Sequence, residues 1–105
     1  MVYIAHPISG NVEENLADIR RIVRKINLMW DDVVPFVPYY ADCVSMDDSV
    51  EWERKRGIKN DHEVLESGIV NELWLCSDRI SEGMKAEMEI AKKLKIDIVN
   101  CIGKL

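Results

Sequence analysis

The sequence predicts an α/β fold: a parallel β-sheet of four to five strands with helices on both faces. Short apolar runs alternate with longer segments whose apolar residues recur at helical spacing, which is typical of β-α-β units. The 105 residues are 48% hydrophobic and 31% charged, as expected of one globular domain. The whole chain, residues 1–105, is therefore interpreted as a single domain.

The first half of the chain contains two predicted strands and one helix. Val2–Ala5 is the first strand, and the proline and glycine of His6–Gly10 end it. A helix begins at Val12, with glutamates in its first turn, where the helix dipole favours acids. Its apolar stripe consists of Leu16, Ile19, Ile22, Val23 and Ile26. The second strand is Val33–Pro38, and a polar stretch without a predicted helix follows over Tyr39–Ser49.

A charged helix is predicted next, from Val50 to Glu66. Asp47 or Asp48 is its expected N-cap, because a short acidic side chain can accept from the first free backbone N–H groups. Gly57 is a point at which this helix could break, and Gly68 ends it.

The last third of the chain supplies two further strands. Glu72–Cys76 is almost continuously apolar, as buried parallel strands are. A loop over Ser77–Gly83 leads into a helix over Met84–Lys95, and Ile96–Val99 is the final strand. Ligands of such sheets bind beyond the carboxyl ends of the strands. We therefore expect the site at His6–Gly10, Pro38–Tyr40, Ser77–Gly83 and the tail after Val99.

Charge and motif content exclude several classes of function. A net charge of −5 argues against polymeric nucleic acid or an anionic membrane as partner. No apolar run is long enough to span a bilayer, and no dinucleotide-binding, P-loop or serine-hydrolase motif occurs. Cys43, Cys76 and Cys101 are widely separated, so neither a metal nor another cofactor is expected. The thiols and the lack of a leader sequence favour a cytoplasmic location.

The turn after the first strand is a candidate anion site. A Pro/Ser/Gly turn before a helix presents free backbone N–H groups, although an ordinary strand-to-helix turn has the same composition. Arg79 could add a positive charge to such a site or lie on the surface. His6 could line the pocket or bond a backbone carbonyl.

Glu87 breaks the pattern of the last helix. It falls within the apolar arc of Met84, Met88, Ile90, Ala91 and Leu94. A carboxylate there is costly unless it is paired, so Glu87 is a catalytic candidate, a partner in an internal salt bridge, or a side chain that reaches solvent. Glycosidic chemistry needs a second carboxyl group, which Asp61 or Glu63 could supply, although both could equally be solvated.

Two motifs resemble a known enzyme superfamily. Tyr3–Gly10, YIAHPISG, resembles the opening Y-[LI]-A-x-P-x-x-G of the nucleoside 2-deoxyribosyltransferase superfamily. Ser81–Glu87, SEGMKAE, resembles its second motif, a glycine-containing loop running into a helix with the nucleophilic glutamate. Glu72–Glu87 also fits, without a gap, the pattern E-L-W-x-x-x-D-R-I-S-x-G-M-x-x-E of small bacterial and phage branches. The resemblance implies a flavodoxin-like three-layer sandwich.

The resemblance also implies roles for individual residues. Glu87 would attack the anomeric carbon, Tyr3 would orient that carboxylate, and Asp61, or else Glu63, would protonate the leaving base. The Ile8–Gly10 turn and the Ser81–Met84 loop would hold the sugar or a 5′-phosphate. The residues implied in that binding are His6, Pro7, Ile8, Ser9, Gly10, Arg79, Ser81, Gly83 and Met84.

The superfamily contains transferases, which exchange bases between deoxynucleosides, and hydrolases, which cleave the N-glycosidic bond of nucleoside 5′-monophosphates. A C-terminal segment of the transferases often completes a neighbouring subunit's site, whereas only Asn100–Leu105 follow the last predicted strand. This difference favours a hydrolase acting on a nucleoside or its 5′-monophosphate. His6 also departs from the motif, since a small residue is common there. The alternatives are a deoxyribosyltransferase and a nucleotide-binding module without catalysis.

A homodimer is also expected, because relatives in the superfamily pair through helices that flank the site. The candidate contact surface consists of apolar residues that the core does not require. These are Leu28, Met29, Trp30 and Met46.

Overall fold

Four short parallel strands form the centre of the computed structural model, which describes residues 1–47 and 49–105. The strands are β1 (Val2–Ala5), β2 (Pro35–Phe36), β3 (Glu72–Leu75) and β4 (Asp97–Asn100). Their spatial order is β2-β1-β3-β4, which is the flavodoxin-like order without a fifth strand. The predicted α/β fold with a parallel sheet is therefore confirmed.

Four helices connect the strands: α1 (Val12–Met29), α2 (Pro38–Ser45), α3 (Glu51–Glu66) and α4 (Glu82–Lys93). The crossover from β1 to β2 runs across the sheet in one direction, and the two later crossovers run in the other. Because such crossovers are right-handed, α1 covers one face and α3 and α4 cover the other. None of the helices formed by residues 1–47 and 49–105 is long and apolar enough to cross a membrane.

Side chains alternate across the sheet and build a core on each face. Tyr3 and Leu73 point to the face with Leu65 of α3 and Met84 of α4. On the other face, Val2 and Ile4 pack against Ile22 and Ile26 of α1. Every residue of β1 is buried. The loop after β1 therefore extends from a strand that is packed on both sides.

Side-chain caps explain where α1 and α4 begin. The Asn11 side chain accepts a hydrogen bond from the backbone N–H of Glu14 at 3.3 Å, and the Ser81 hydroxyl accepts from that of Met84 at 3.2 Å. Because Ser81 is the cap, α4 begins at Glu82, two residues before the predicted start. Lys95 has a left-handed φ of 58° and ends the helix early.

The segment after β2 differs most from its prediction. The second strand is only Pro35–Phe36, and most of α2 lies in the polar stretch for which no helix was predicted. Pro38 occupies the first turn of this helix, where the missing N–H of proline costs no hydrogen bond. A proline that is compatible with the end of a strand opens a helix instead.

The third helix also differs from its prediction in two details. It continues through Gly57 without a break, and Val50 is its N-cap. Asp47 lies three residues before this cap, and its carboxylate accepts from the backbone N–H of Ser49 at 3.0 Å. Asp48, the alternative cap, lies outside the described residues.

The end of α1 leaves apolar side chains outside the core. Leu28 and Met29 are 70% and 61% exposed, and Trp30 packs edge-on against the half-buried Trp74 with ring centroids 6.2 Å apart. Met46 is half-buried and faces the cleft described below. Leu28 and Met29 are thus free of the core, and a dimer contact through them stays a prediction.

The buried hydroxyl of Tyr39 joins α2 to the central strand, since it donates to the Ile4 carbonyl at 2.5 Å. We expect Tyr39→Phe to lower the free energy of unfolding by about 1–2 kcal/mol, because a buried carbonyl loses a partner. Urea unfolding measures this change. Tyr40→Phe is the matched control, because the Tyr40 hydroxyl meets Arg20 on the surface, and it should have little effect. Equal effects of the two substitutions would contradict the prediction.

Candidate functional site

A cleft of about 670 Å³ opens where the carboxyl ends of β1 and β3 meet. The chain leaves these two neighbouring strands in opposite directions, which is the topological switch point of the sheet. Loops from both strands form one side of the cleft, and α2, α3 and α4 form the others. Its size is within the range of small-molecule sites.

Glu87 lies at the base of this cleft. Its side chain is on the inward face of α4 and only 7% of the residue is exposed, so the expectation that it points inward is correct. Its Oε2 atom accepts a hydrogen bond from the hydroxyl of Tyr3, which is fully buried in β1. Burial raises the pKa of Glu87 to about 7, and the Tyr3 hydroxyl acts in the opposite direction.

Asp61 supplies the second carboxyl group from α3. Burial, and secondly the charge of Glu87, raise the pKa of Asp61 to about 8. Its Oδ1 atom is buried without a hydrogen-bond partner among the described residues. Glu63, the alternative that the sequence left open, is exposed and does not line the cleft.

The two carboxyl groups interact, because the charge of Glu87 adds to burial in raising the pKa of Asp61. Because both pKa values lie near or above neutrality, the pair retains protons under conditions where surface carboxyl groups are fully ionised. Burial, followed by the charge of Glu87, raises the pKa of Tyr3 and Tyr39 well above the ordinary value. Both hydroxyls therefore stay protonated as donors. A buried carboxylate beside a carboxylic acid can serve as nucleophile and proton donor in one reaction.

His6 is held by two acceptors. Its Nδ1 lies 2.7 Å from the Pro7 carbonyl, and its Nε2 lies 2.7 Å from Oδ2 of Asp18. Burial raises the pKa of Asp18, but hydrogen bonds from His6 and Arg21 outweigh burial and hold it below its usual value. Both ring nitrogens are thus engaged in shaping the loop after β1.

Arg79 bridges the two loops at the mouth of the cleft. Its Nη2 donates to the Ser9 carbonyl at 3.0 Å and packs on Gly10, whose φ of 102° favours glycine. Asn15 supports the same turn by donating to the Ile8 carbonyl at 2.8 Å. The remaining N–H groups of the guanidinium stay next to the cleft.

Most of the predicted site residues meet at this cleft. Those that line it are His6, Ile8, Ser9, Asp61, Arg79, Ser81, Gly83, Met84 and Glu87. Tyr3 lies beneath the floor and reaches the site through Glu87. Pro7 is fully buried, and Gly10 lines only the adjoining groove, so neither contacts the main cleft. The tail after Val99 does not line the cleft either.

The wall formed by α2 and α3 was missed in the sequence, because α2 itself was not predicted. It adds Asp42, Met46, Arg54, Gly57 and His62 to the lining, whereas Tyr39 belongs to the expected segment Pro38–Tyr40. Gly57 marks the close approach of the two helices: a Cβ atom there would lie 3.7 Å from Cβ of Asp42 and 3.8 Å from Cε of Met46. Glycine inside a helix costs up to about 1 kcal/mol, which was the one signal in the sequence for a special position here.

Potential metal ligands are dispersed in the described part of the chain. Among residues 1–47 and 49–105, no three or more His, Cys, Asp or Glu side chains are grouped so that they could hold a metal ion. That the protein acts without a metal stays a prediction, and activity that a chelator abolishes and one metal restores would contradict it.

Comparison with known proteins assigns the chain to a family. Residues 1–101 match the family model DUF7768, described as a domain of unknown function. No curated protein and no solved structure matches the chain. The match includes all four strands and the helices that carry Asp61 and Glu87. The chain therefore belongs to the DUF7768 family.

Proposed function

We propose that this protein is a hydrolase that cleaves the N-glycosidic bond of a nucleoside 5′-monophosphate or nucleoside through a glycosyl–glutamate intermediate. The observation that carries the proposal is the buried carboxylate of Glu87, held by Tyr3 in a cleft that also contains the carboxyl group of Asp61. The resemblance of Tyr3–Gly10 and Ser81–Glu87 to the deoxyribosyltransferase motifs supports the same reaction.

The reaction has two steps. In the first, a carboxylate oxygen of Glu87 attacks the anomeric carbon, the C–N bond breaks with its electron pair going to the base, and the proton of Asp61 neutralises that base. In the second, the Asp61 carboxylate takes a proton from water, which attacks the anomeric carbon and frees Glu87. Tyr3 holds Oε2 of Glu87, so Oε1 is the atom available for attack.

The loops at the mouth of the cleft are suited to bind the phosphate group of a nucleotide substrate. Ser9 and Ser81 line the cleft together with Arg79, and α4 begins directly after Ser81. A helix N-terminus, two hydroxyls and a guanidinium together suit a 5′-phosphate. We therefore favour the monophosphate over the unphosphorylated nucleoside as substrate.

Glu87→Gln tests the nucleophile. It keeps the size of the side chain and can still bond Tyr3, but it removes the attacking charge. We expect the rate at which free base is released to fall on the order of a thousandfold or more, while substrate binding persists. Chromatography measures this release over a panel of nucleosides and 5′-monophosphates. Glu89→Gln is the control, because Glu89 is exposed on the same helix beside Lys92. Near-normal cleavage by Glu87→Gln would place the nucleophile elsewhere.

The pH dependence of kcat/KM tests the acid. Activity requires ionised Glu87 and protonated Asp61, so it should rise with pH through about 7 and fall above about 8. Asp61→Asn should lower the rate and abolish the alkaline fall, whereas Glu63→Gln, at an exposed position further along α3, should leave the profile unchanged. An alkaline limb that survives in Asp61→Asn would exclude Asp61 as the acid.

Stability should also depend on these protons. The pKa of Glu87 rises from 4.5 in the unfolded chain to about 7 in the fold, so the folded state binds more protons between these values. The free energy of unfolding should therefore fall as pH increases from about 4.5 to 7, by roughly 3 kcal/mol. In thermal melts, Glu87→Gln should have a higher melting temperature than the wild type at pH 8, and this difference in melting temperature should be smaller at pH 5. A difference in melting temperature that does not depend on pH would contradict the predicted contribution of Glu87 to the pH dependence of stability.

A further inference from the structure

The wall formed by α2 and α3 carries a carboxylate that the proposed reaction does not use. Asp42 is half-buried and lines the cleft. Its Oδ2 accepts from Nδ2 of Asn60 at 3.3 Å, and Oδ1 of Asn60 accepts from Nε of Arg56 at 3.2 Å. Arg56 therefore fixes which end of the Asn60 amide faces Asp42, and Asn60 in turn orients the Asp42 carboxylate.

Asp42 and Asp61 line the same cleft. Gly57 lies one helical turn before Asp61 and has no side chain, and a Cβ atom at its position would lie 3.7 Å from Cβ of Asp42. The two carboxyl groups are close enough for the charge of Asp42 to raise the pKa of Asp61, after burial and Glu87. The wall thus presents two carboxyl groups to a ligand, one beside the other.

The two groups have complementary hydrogen-bonding roles. As the acid of the proposed reaction, Asp61 donates a proton to the leaving base. The carboxylate oxygens of Asp42 are acceptors. A base that satisfies both must present an acceptor atom beside an N–H donor. Among the purines, adenine does so with N7 and its 6-amino group, whereas a 6-oxopurine presents two acceptors at N7 and O6.

We propose that Asp42 makes the cleft selective for a 6-aminopurine over a 6-oxopurine, with Asp61 protonating N7 and Asp42 accepting from the 6-amino group. The proposal rests on the glycosidic cleavage proposed above and names its substrate class. A 6-oxo group would place its lone pairs against the Asp42 carboxylate, so the penalty combines a lost hydrogen bond with repulsion. We expect discrimination of roughly tenfold to a hundredfold.

The experiment compares kcat/KM for adenosine and inosine 5′-monophosphates, in the ribose and the 2′-deoxyribose series, with the wild-type chain. The adenine member of each cleaved pair should be preferred. Equal cleavage or a preference for the inosine member would overturn the proposal while the proposed function stands. Base release from only the pyrimidine members of the substrate panel would do the same. Release of no base from any nucleotide or nucleoside of the substrate panel would remove the function and this inference together.

Asp42→Asn sharpens the test. Because Nδ2 of Asn60 faces this position, the oxygen of the new amide should turn toward Asn60 and its NH₂ group toward the ligand. The preference should then shift toward the 6-oxopurine by about tenfold or more. Glu53→Gln removes the same charge from another part of the cleft lining and should leave the ratio unchanged. A ratio that changes equally in both variants would show a general charge effect and overturn the assignment to Asp42.

Discussion

The burial of Glu87 is the constraint around which the rest of this structure is arranged. A carboxylate in an apolar interior is unfavourable, and the hydroxyl of Tyr3 is its hydrogen-bond partner. Tyr3 can serve because it belongs to β1, whose residues are all buried between two layers of helices. Burial, and after it the charge of Glu87, raises the pKa of Asp61, Tyr3 and Tyr39. The packing of the core around Glu87 therefore affects the titration of the groups that line the cleft.

The connection from β2 to β3 determines the shape of the cleft. Two helices are used where a single crossover helix would join the strands, and α2 and α3 pack closely at Gly57. This packing places polar side chains of both helices opposite the loops that extend from β1 and β3. The candidate nucleophile and the tyrosine that holds it come from α4 and the sheet, whereas the surface that would recognise a base comes from this additional pair of helices.

The sequence predicted the parts of the molecule with strong periodicity. The strands β1, β3 and β4, the apolar stripe of α1 and the inward position of Glu87 all follow from regular patterns that burial imposes. It did not predict α2, because Pro38 is compatible with a strand end and with a helix start, and an eight-residue helix has little periodicity. Contacts between residues that are distant in the sequence could not be predicted either. The pairing of His6 with Asp18 and the approach of Gly57 to Asp42 depend on tertiary packing that no local pattern encodes.

The sheet order also has a consequence for how molecules of this protein meet one another. β2 and β4 are edge strands, and an open edge is a template for unwanted pairing and aggregation. β2 has two residues and begins with a proline, which cannot donate to a neighbouring strand. β4 has four residues and exposes Asp97 and Asn100 at its ends. Both edges are thus poor templates for a further strand, and the exposed apolar side chains of Leu28 and Met29 belong to a helix instead.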